Sequence, residues 1–391
     1  MMKIGFIGNM NNNFFGLVRY MRDRGVDAEL ILLCGEFGHF HPSTDSFSLD
    51  YRDFTRSVTW GSREMFSRTS PSQIRSDLAE YDTLFGTGLA AAYLSKAGRR
   101  LDVFKVYGGD LMDETRYQFI TRRPVVHNQI SRHQRKGIGD SRFFCMGWQN
   151  EMYESYAKRF AGNSVRLLRP IPMVYAPEYT RDSLSQNRNR LHFSNFFDQL
   201  RASSDFIAFS HSRQSWTISP TNANHKGSDR IFHAWSKFLK SNPGLNAKLV
   251  VFEYGRDVAE SKRLVRECGI CDSVEWLPPT SRKEIMYGLS VSDVSVGPCS
   301  DVSWNISGNR LEAMVSAAPQ ICHRDDSLYA GKELPVYPVF NARTTEEIHD
   351  QLCRVLSNPE LARSYGDQGL AWYQDHLAKN KIDEYLSCLS T

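Results

Sequence analysis

The sequence predicts two doubly wound α/β domains in tandem, and three observations support this fold class. The chain has 391 residues, which is longer than a chain that folds around a single hydrophobic core usually is. Short apolar runs alternate along it with stretches of helical periodicity, the order that builds parallel sheets. A proline-rich and then polar stretch near 175–205 separates two such series. We therefore expect domains over 1–195 and 200–365, and a C-terminal helix over 366–391 that packs back toward the first domain.

The first series opens with a predicted strand over Lys3–Gly8 and a turn over Asn9–Asn13. A helix follows over Phe14–Arg24, because its apolar residues recur at helical spacing and Gly25 ends it. The strand Val26–Cys34 completes a βαβ unit. Later strands are expected over 83–86, 103–107, 142–145 and 165–168, with helices over 89–97 and 151–160.

The second series repeats this alternation from Phe206 onward. Apolar runs predict strands over 206–209, 248–252, 274–276, 294–296, 320–322 and 336–340. Helical patterns lie over 229–240, 258–268, 282–288, 346–356 and 361–377, and a further helix is expected to carry Glu312. Two Rossmann-like domains result.

Composition excludes several classes of protein. With 41% hydrophobic and 24% charged residues, the chain is typical of a globular protein, and no apolar run approaches the length of a membrane span. A net charge of +4 is too mild to indicate nucleic-acid binding. We expect a cytoplasmic protein without disulfides, because no secretion signal is recognised. Cys268 and Cys271 lack further ligands at zinc-like spacing, so no metal site is predicted.

Basic residues are concentrated between Lys96 and Lys136, where ten Lys and Arg accompany four Asp and Glu. Such a segment can be an ordinary solvated face. It can also contact an anionic membrane surface or a phosphorylated acceptor. The sequence leaves these alternatives open.

Two loops of the second domain suit a phosphorylated ligand, because loops at the carboxyl ends of parallel strands meet ligands there. Arg213 follows a strand, and Lys226 and Gly227 precede a helix. Two cations beside a helix N-terminus fit a diphosphate whose charge grows as it departs. The corresponding loop of the first domain, Gly8–Asn13, is either a plain tight turn or a phosphate or sugar contact.

Glu312 lies near the start of a predicted helix, after a loop rich in Gly and Ser. It is either a carboxylate favoured by the helix dipole or an acceptor for the two hydroxyls of a ribose.

The second half resembles the donor domain of retaining GT-B glycosyltransferases of family 4. The segments that carry this resemblance are His225–Gly227, Ala247–Glu253, Val274–Pro278, Ser292–Pro298, Leu311–Met314 and Ala318–Ile321. The first half, with Ile7–Asn13 and Tyr107–Asp110, is similar more loosely to the acceptor domain of members that build bacterial polysaccharides. The resemblance implies a GT-B fold with two domains facing across a cleft. It also implies a hexosyltransferase-like activity that moves a sugar from a nucleotide donor to a saccharide or lipid-linked acceptor.

The resemblance also assigns roles to individual residues. Glu312 matches the family glutamate that holds the ribose, and Lys226 and Arg213 match the residues that bind the diphosphate. The glutamate expected to bind the donor sugar is replaced by Trp304, so the residues expected to substitute for it are Asn305, Ser307 and Gly308.

In the first domain, Asp110 is either a turn residue or a polar group near the reacting sugar. Gly8 and Asn12 are expected on the donor side. Asn13, Asp113 and His127 are expected on the acceptor side.

The residues and the resemblance together predict a metal-independent glycosyltransferase with no cofactor, and the resemblance alone implies that it retains the anomeric configuration. Its partners would be a nucleotide sugar and a saccharide or lipid-linked acceptor. Peripheral contact of the protein with an anionic membrane is also expected. Two alternatives stay open: a GT-B-shaped sugar-nucleotide epimerase, which needs His and carboxylate groups for elimination, and a non-catalytic sugar-nucleotide-binding protein, which Trp304 makes plausible.

Overall fold

The computed structural model describes residues 2–120, 124–146, 151–160, 165–168, 171–222, 224–302, 306–329 and 334–390, without the side chains of 151–154, 165–168, 388 and 390. Two compact units divide the chain. The first comprises Met1–Tyr175 with Leu377–Thr391, and the second comprises Ala176–His376. The division comes earlier than the expected 195–200, because the segment after Tyr175 packs within the second unit.

A parallel sheet forms the centre of the first unit. Its strands are β1 (Lys3–Ile7), β2 (Asp27–Leu32), β3 (Thr55–Ser57), β4 (Thr83–Gly86), β5 (Val103–Lys105), β6 (Phe143–Met146) and β7 (Val165–Leu168). The described strands pair in the order β3-β2-β1-β4-β5-β6-β7, and every pairing is parallel. From β1 the strands follow in chain order toward β3 on one side, and from β4 they follow toward β7 on the other. The direction of winding therefore reverses between β1 and β4, as in a doubly wound fold.

Aromatic packing on β1 shows why these short apolar runs are strands. Phe6 stacks on Phe85 of β4 at 4.5 Å between ring centroids, and Phe14 meets Phe6 edge to face at 5.4 Å. All three side chains are buried. Strands covered on both faces are expected to be almost continuously apolar, as β1 and β4 are.

Helices α1 (Asn13–Arg22), α2 (Pro71–Asp77), α3 (Ala90–Lys96), α4 (Gly109–Met112), α5 (Pro124–Gly139) and α6 (Glu151–Phe160) accompany this sheet. The sequence did not predict α5, whose exposed residues are Val125, Gln129, Arg132 and Lys136. It packs closely on α3, where a Cβ on Gly137 would lie only 2.1 Å from the carbonyl oxygen of Ala91. Glycine at this position is therefore needed for the contact between the two helices.

A second parallel sheet forms the centre of the other unit. Its strands are β8 (Phe206–Ser210), β9 (Ala247–Phe252), β10 (Val274–Leu277), β11 (Val294–Val296), β12 (Gln320–Cys322) and β13 (Phe340–Asn341). The described strands pair in the order β10-β9-β8-β11-β12-β13, again all parallel. The strand expected over 336–340 is confined to its end, because Pro338 has no N–H to donate to a neighbouring strand.

The helices of the second unit are α7 (Arg181–Gln186), α8 (Ser194–Ser203), α9 (Ser228–Ser241), α10 (Val258–Glu267), α11 (Arg282–Ser290), α12 (Gly308–Val315), α13 (Thr345–Ser357) and α14 (Pro359–Tyr373). The stretch interpreted as an irregular boundary contains α7 and leads into α8. Glu284 of α11 holds this stretch by accepting from the backbone N–H groups of His192 and Phe193 at 2.6 and 3.1 Å.

The chain ends in a π-helical turn over Gln374–Lys379 and helix α15 (Asn380–Ser390). This last helix belongs to the first unit. Asp383 accepts from Arg24 at 2.8 Å, and the hydroxyl of Tyr385 lies 3.0 Å from the Cys145 sulfur.

Two kinds of feature are absent from the described residues. None of their helices is both long and apolar enough to cross a membrane. In the same part of the chain, no group of three or more His, Cys, Asp or Glu could hold a metal ion.

Candidate functional site

The candidate site lies at the carboxyl edge of the second sheet, where the strand order reverses. β8 and β11 are neighbours there, although β9 and β10 lie between them in the chain. Loops leaving such strands diverge and open a crevice, which is where doubly wound sheets bind ligands. The loops that begin at His211 and Gly297 therefore border the candidate site.

Lys226 connects these two loops through its backbone. Its N–H donates to the carbonyl of Ser215 at 2.7 Å, and its own carbonyl accepts from the N–H of Cys299 at 3.1 Å. Burial, and then the positive charges of Arg213 and Arg310, lower the pKa of its ammonium to about 8. An anion bound here would offset both effects, because it favours the charged form of the lysine.

Gly227 follows Lys226 at the start of α9, and its position requires glycine. Its φ is +68°, and a Cβ would lie 2.5 Å from the carbonyl oxygen of Cys299. The absence of a side chain therefore lets the Lys226 loop approach the loop after β11. Because α9 begins at Ser228, the unpaired N–H groups of its first turn come directly after Lys226 in the chain.

Two arginines supply the other positive charges near Lys226. Arg213 is exposed, and its Nη2 lies 3.3 Å from Asn224 Oδ1. Arg310 lies in the first turn of α12, is only 2% exposed, and donates to the hydroxyl of Tyr337 at 3.0 Å. Sequence reasoning singled out Arg213 and missed Arg310. A signal was present, because a cation in the first turn of a helix opposes the helix dipole, and such local conflicts mark functional positions.

Glu312 is a buried carboxylate held by two partners. Arg282 Nε donates to its Oε1 at 2.8 Å, and His211 Nε2 lies 3.2 Å from its Oε2. Burial acts to raise the pKa of Glu312, but His211 and Arg282 outweigh it and hold the pKa below its ordinary value. Nearby, Asn309 donates to Ser212 Oγ at 2.8 Å, which ties α12 to the loop after β8. The carboxylate is thus ionised and fixed in orientation, as an acceptor for two hydroxyls should be.

The structure describes two of the three residues expected to replace the missing sugar-binding glutamate. Trp304 and Asn305 lie outside the described residues. Gly308 is the first residue of α12, and Ser307 precedes it with its hydroxyl donating to the side-chain oxygen of Asn309. Their roles in binding a sugar stay predictions.

In the first unit, Gly8 and Asn12 shape the loop after β1. Gly8 has a φ of +89°, and a Cβ there would lie 2.8 Å from Cγ2 of Thr87. Asn12 adopts the left-handed conformation, is 2% exposed, and donates through its side chain to the carbonyl of His39 at 2.9 Å. Asn12 thus holds the loop after β2, and Gly8 allows the close approach of Thr87 after β4, so both residues have structural roles. Their contact with the donor stays a prediction.

Asp110 holds together the loops after β4 and β5. Its carboxylate accepts from the backbone N–H groups of Gly108 at 2.9 Å, Tyr107 at 3.0 Å and Gly88 at 3.3 Å. Burial raises its pKa, although these three donors act in the opposite direction. The geometry corresponds to the turn-stabilising interpretation, while the predicted role near the reacting sugar stays a prediction.

The three residues expected on the acceptor side differ in exposure. Asn13 is buried at the start of α1, and Asp113 is exposed after α4. His127 is also buried, with its Nε2 donating to the carbonyl of Arg116 at 3.0 Å, and its acceptor-side role stays a prediction.

Comparison with known proteins identifies the fold. No family profile and no curated protein sequence matches the chain. Among solved structures, sucrose-phosphate synthase from Thermosynechococcus elongatus is 14% identical with a TM-score of 0.60, covering 100% of this chain and 98% of its own. HepE from Anabaena, solved with UDP and glucose, is 14% identical with a TM-score of 0.61, covering 99% and 100%. UDP-GlcNAc 2-epimerase from Neisseria meningitidis, solved with UDP-GlcNAc, is 10% identical with a TM-score of 0.53, covering 100% of both chains.

These similarities confirm the predicted fold class. The chain has the two Rossmann-like, doubly wound domains of the GT-B fold.

Proposed function

We propose that this protein is a glycosyltransferase that moves a sugar from a nucleotide-sugar donor to a saccharide or lipid-linked acceptor. The observation that carries the proposal is the pair of features at the switch point of the second sheet: Lys226 with the positive charges of Arg213 and Arg310 near it, and the oriented carboxylate of Glu312. Positive charge for a diphosphate and an ionised carboxylate for a diol are the two features that a nucleoside diphosphate sugar requires.

In this mechanism the bond between the anomeric carbon of the donor sugar and the diphosphate oxygen breaks. Its electron pair stays on the diphosphate, while an acceptor hydroxyl bonds to the carbon and loses its proton. Lys226 and Arg213 stabilise the charge that develops on the leaving group, and Arg310 adds to the field around Lys226. Because cations of the chain do this work, we propose that the reaction needs neither a metal nor a cofactor.

Two finer features rest on the family 4 resemblance alone. They are retention of anomeric configuration and a role in polysaccharide biosynthesis. The binding of the ribose by Glu312 is supported in addition by the two partners that orient its carboxylate. The acceptor is proposed to bind the first unit near Asn13, Asp113 and His127. Such an enzyme would act in the cytoplasm, and the basic segment from Lys96 to Lys136 would attract it to an anionic membrane, where lipid-linked acceptors lie.

A second candidate, a sugar-nucleotide epimerase, is favoured by one specific observation. His211 lies 3.2 Å from Glu312 at the candidate site, which supplies the combination of His and carboxylate that elimination chemistry requires. An epimerase would convert its donor without an acceptor, so the appearance of an epimer in the absence of any saccharide would favour it over a transferase.

A screen of UDP, GDP, CMP and ADP sugars by thermal unfolding tests the proposal. A ligand that binds only the native state raises its stability, by about 2.7 kcal/mol at 100 times its dissociation constant. We expect one nucleotide class to raise the melting temperature, and its sugar to be transferred to a saccharide. Stabilisation without transfer or epimerisation would indicate a binding protein instead. The absence of stabilisation by all four classes would contradict the proposal.

A further inference from the structure

The connection between β8 and α9 carries two of the cations near the candidate donor site, Arg213 near its start and Lys226 near its end. It spans 211–227, and its described residues, all except 223, form neither helix nor strand. Connections between strands and helices in α/β units usually have about 2–6 residues. A connection this much longer needs contacts that hold it, so the spacing of the two cations depends on those contacts.

A buried carboxylate holds the first part of this connection. Asp257, which follows β9, is 3% exposed. Its Oδ2 accepts from the backbone N–H groups of Trp216 and Thr217 at 2.6 and 2.9 Å, and its Oδ1 accepts from the Thr217 hydroxyl at 2.9 Å. The indole of Trp216 also donates to Ser261 Oγ of α10 at 2.8 Å. Two consecutive residues of the connection are therefore fixed to the loop and helix that follow β9.

Asp257 does not use its carboxylate for the helix that it precedes. It occupies the N-cap position of α10, where an aspartate usually accepts from an N–H of the first turn, but its side chain makes no such bond. Burial acts to raise its pKa, while its hydrogen bonds from Thr217 and Trp216 outweigh that effect and hold the pKa below its ordinary value. The ionised carboxylate thus acts on the connection rather than on α10.

Backbone contacts join the same two loops. Gln214 donates through its N–H to the carbonyl of Tyr254 at 2.7 Å, and its own carbonyl accepts from the N–H of Asp257 at 3.0 Å. Gly255 lies between these partners with a φ of +122°, and a Cβ there would lie 2.3 Å from the carbonyl oxygen of Gln214. The loop after β9 therefore approaches the connection as closely as glycine permits.

The held segment sets the positions of Arg213 and Lys226. Before Arg213, the hydroxyl of Ser212 accepts from Asn309 of α12 at 2.8 Å. After it, the carbonyl of Ser215 accepts from the backbone N–H of Lys226 at 2.7 Å. Arg213 is exposed, but its backbone lies between a residue tied to α12 and a residue tied to Lys226.

We propose that Asp257 is a positioning residue that holds Arg213 and Lys226 at the separation required by one diphosphate. It acts through Trp216 and Thr217, without contact with the ligand. Two cations that meet one ligand must be fixed in advance, because a shift of about 1 Å can cost about 100-fold in rate. This inference rests on the proposed function, since the diphosphate belongs to the nucleotide-sugar donor.

The titration of Lys226 in the free protein reports how the connection is held. Burial, and then the charges of Arg213 and Arg310, lower the pKa of Lys226 to about 8. His225 precedes Lys226 and has a lowered pKa, caused mainly by its own burial. Of the two arginines, only Arg213 lies on the connection, so its effect on Lys226 depends on the connection staying in place.

Asp257→Ala should therefore raise the pKa of Lys226 toward its ordinary value, because Lys226 becomes less buried and Arg213 moves away. Sulfosuccinimidyl acetate acetylates only the uncharged amine. Mass spectrometry of the initial acetylation rate of Lys226 across about pH 7 to 10, relative to exposed Lys237, measures this titration. Turnover of the donor by Asp257→Ala should fall by about tenfold or more.

Three further variants separate positioning from a general loss of stability. Asp257→Asn should recover most of the wild-type titration, because an amide oxygen can accept both N–H groups and the amide nitrogen can donate to the Thr217 hydroxyl. Thr217→Val removes one of the three hydrogen bonds and should shift the titration the same way by less. Asp293→Ala is the matched control, because Asp293 accepts from the N–H of Ile207 at 2.7 Å near the other end of β8. It should lower stability and leave the titration of Lys226 unchanged.

An upward shift in Asp257→Ala, with recovery in Asp257→Asn and none in Asp293→Ala, supports the proposal. A wild-type titration of Lys226 in folded Asp257→Ala and Thr217→Val, or an equal shift in Asp293→Ala, would overturn it. The titration needs no nucleotide. A protein that binds no donor would therefore fail the proposed function, while this measurement still decides whether Asp257 positions the two cations.

Discussion

At the scale of single residues, the lowered pKa of Lys226 predicts how nucleotide affinity depends on pH. Its pKa of about 8 lies below the ordinary value for lysine because burial and two arginines disfavour its charge. A bound diphosphate favours the ammonium and raises the pKa in the complex, so nucleotide affinity must fall as pH rises above about 8. Below that pH the lysine is charged in both states, and the affinity should be level.

Calorimetry of the cognate nucleotide across about pH 7 to 9.5 measures this effect. We expect the affinity to fall by up to about tenfold for each pH unit above 8, the limit for one coupled proton. Lys226→Arg, which stays charged throughout, should not show the decline. A pH-independent affinity in the wild type would contradict the placement of Lys226 against the diphosphate.

Glu312 gives a second prediction, in which binding and stability change together. Glu312→Gln should weaken nucleotide binding because a neutral amide is a poorer acceptor for a diol. It should also lower the free energy of unfolding by about 3 kcal/mol, because Arg282 loses the carboxylate with which it is buried. The sequence alone does not show this ion pair, because Arg282 and Glu312 lie on different helices.

Arg282→Gln is the matched control for that change. It should lower stability while keeping the carboxylate, and so retain more nucleotide affinity than Glu312→Gln. The pKa of Glu312 is lowered in the fold, so its contribution is present above the unfolded pKa of about 4.3 and is lost as pH falls through the folded pKa. Unchanged nucleotide affinity in Glu312→Gln would remove the carboxylate from the donor site.

At the scale of elements, the start of α9 depends on Gly227. Gly227→Ala would place a Cβ 2.5 Å from the carbonyl oxygen of Cys299 in a left-handed backbone conformation, and we expect a loss of about 3 kcal/mol in denaturant unfolding. Gly244→Ala shares the positive φ, but nothing lies within 4 Å of the added Cβ, so it should cost about 1 kcal/mol. Equal losses in the two variants would show that the contact with Cys299 does not constrain the loop.

Most buried strands could be predicted because strands covered on both faces leave continuous apolar runs. The strands β4, β7, β11 and β12 have the expected bounds. Helices α5 and α8 could not be found in this way. The 16 residues of α5 include four aliphatic side chains, Val125, Val126, Ile130 and Ile138, and α8 lies in a stretch whose polar composition is typical of a linker. Their apolar positions are few, so only packing against a neighbouring helix shows that they are helical.

The candidate site could be predicted only where its residues are close in sequence. Lys226 stands out because a glycine and a helix start follow it directly. His211, Arg282 and Arg310 were missed because they reach Glu312 and Lys226 from three separate loops or helices. Their convergence is a property of the sheet order, which brings β8 beside β11, and no local pattern contains it.

At the scale of the whole molecule, the proposed mechanism requires no metal ion. Transfer should continue in excess EDTA because the cations of the chain stabilise the leaving diphosphate. The assay follows release of nucleoside diphosphate with and without the chelator, after dialysis. Complete loss of activity that added Mg²⁺ restores would reject the metal-free mechanism.

The central claim is that the second unit holds the donor diphosphate at Lys226, and Lys226→Ala tests it most directly. Charge on the diphosphate increases in the transition state, so removal of the ammonium should slow turnover more than it weakens donor binding. We expect turnover to fall by about 100-fold or more, and Lys226→Arg to recover only part of it, because its planar guanidinium does not reproduce a compact ammonium. Lys237 is an exposed lysine of α9, the helix that Lys226 precedes, and it pairs with Glu346, so Lys237→Ala should behave like the wild type. Near wild-type turnover by folded Lys226→Ala would contradict the account and place the donor site elsewhere.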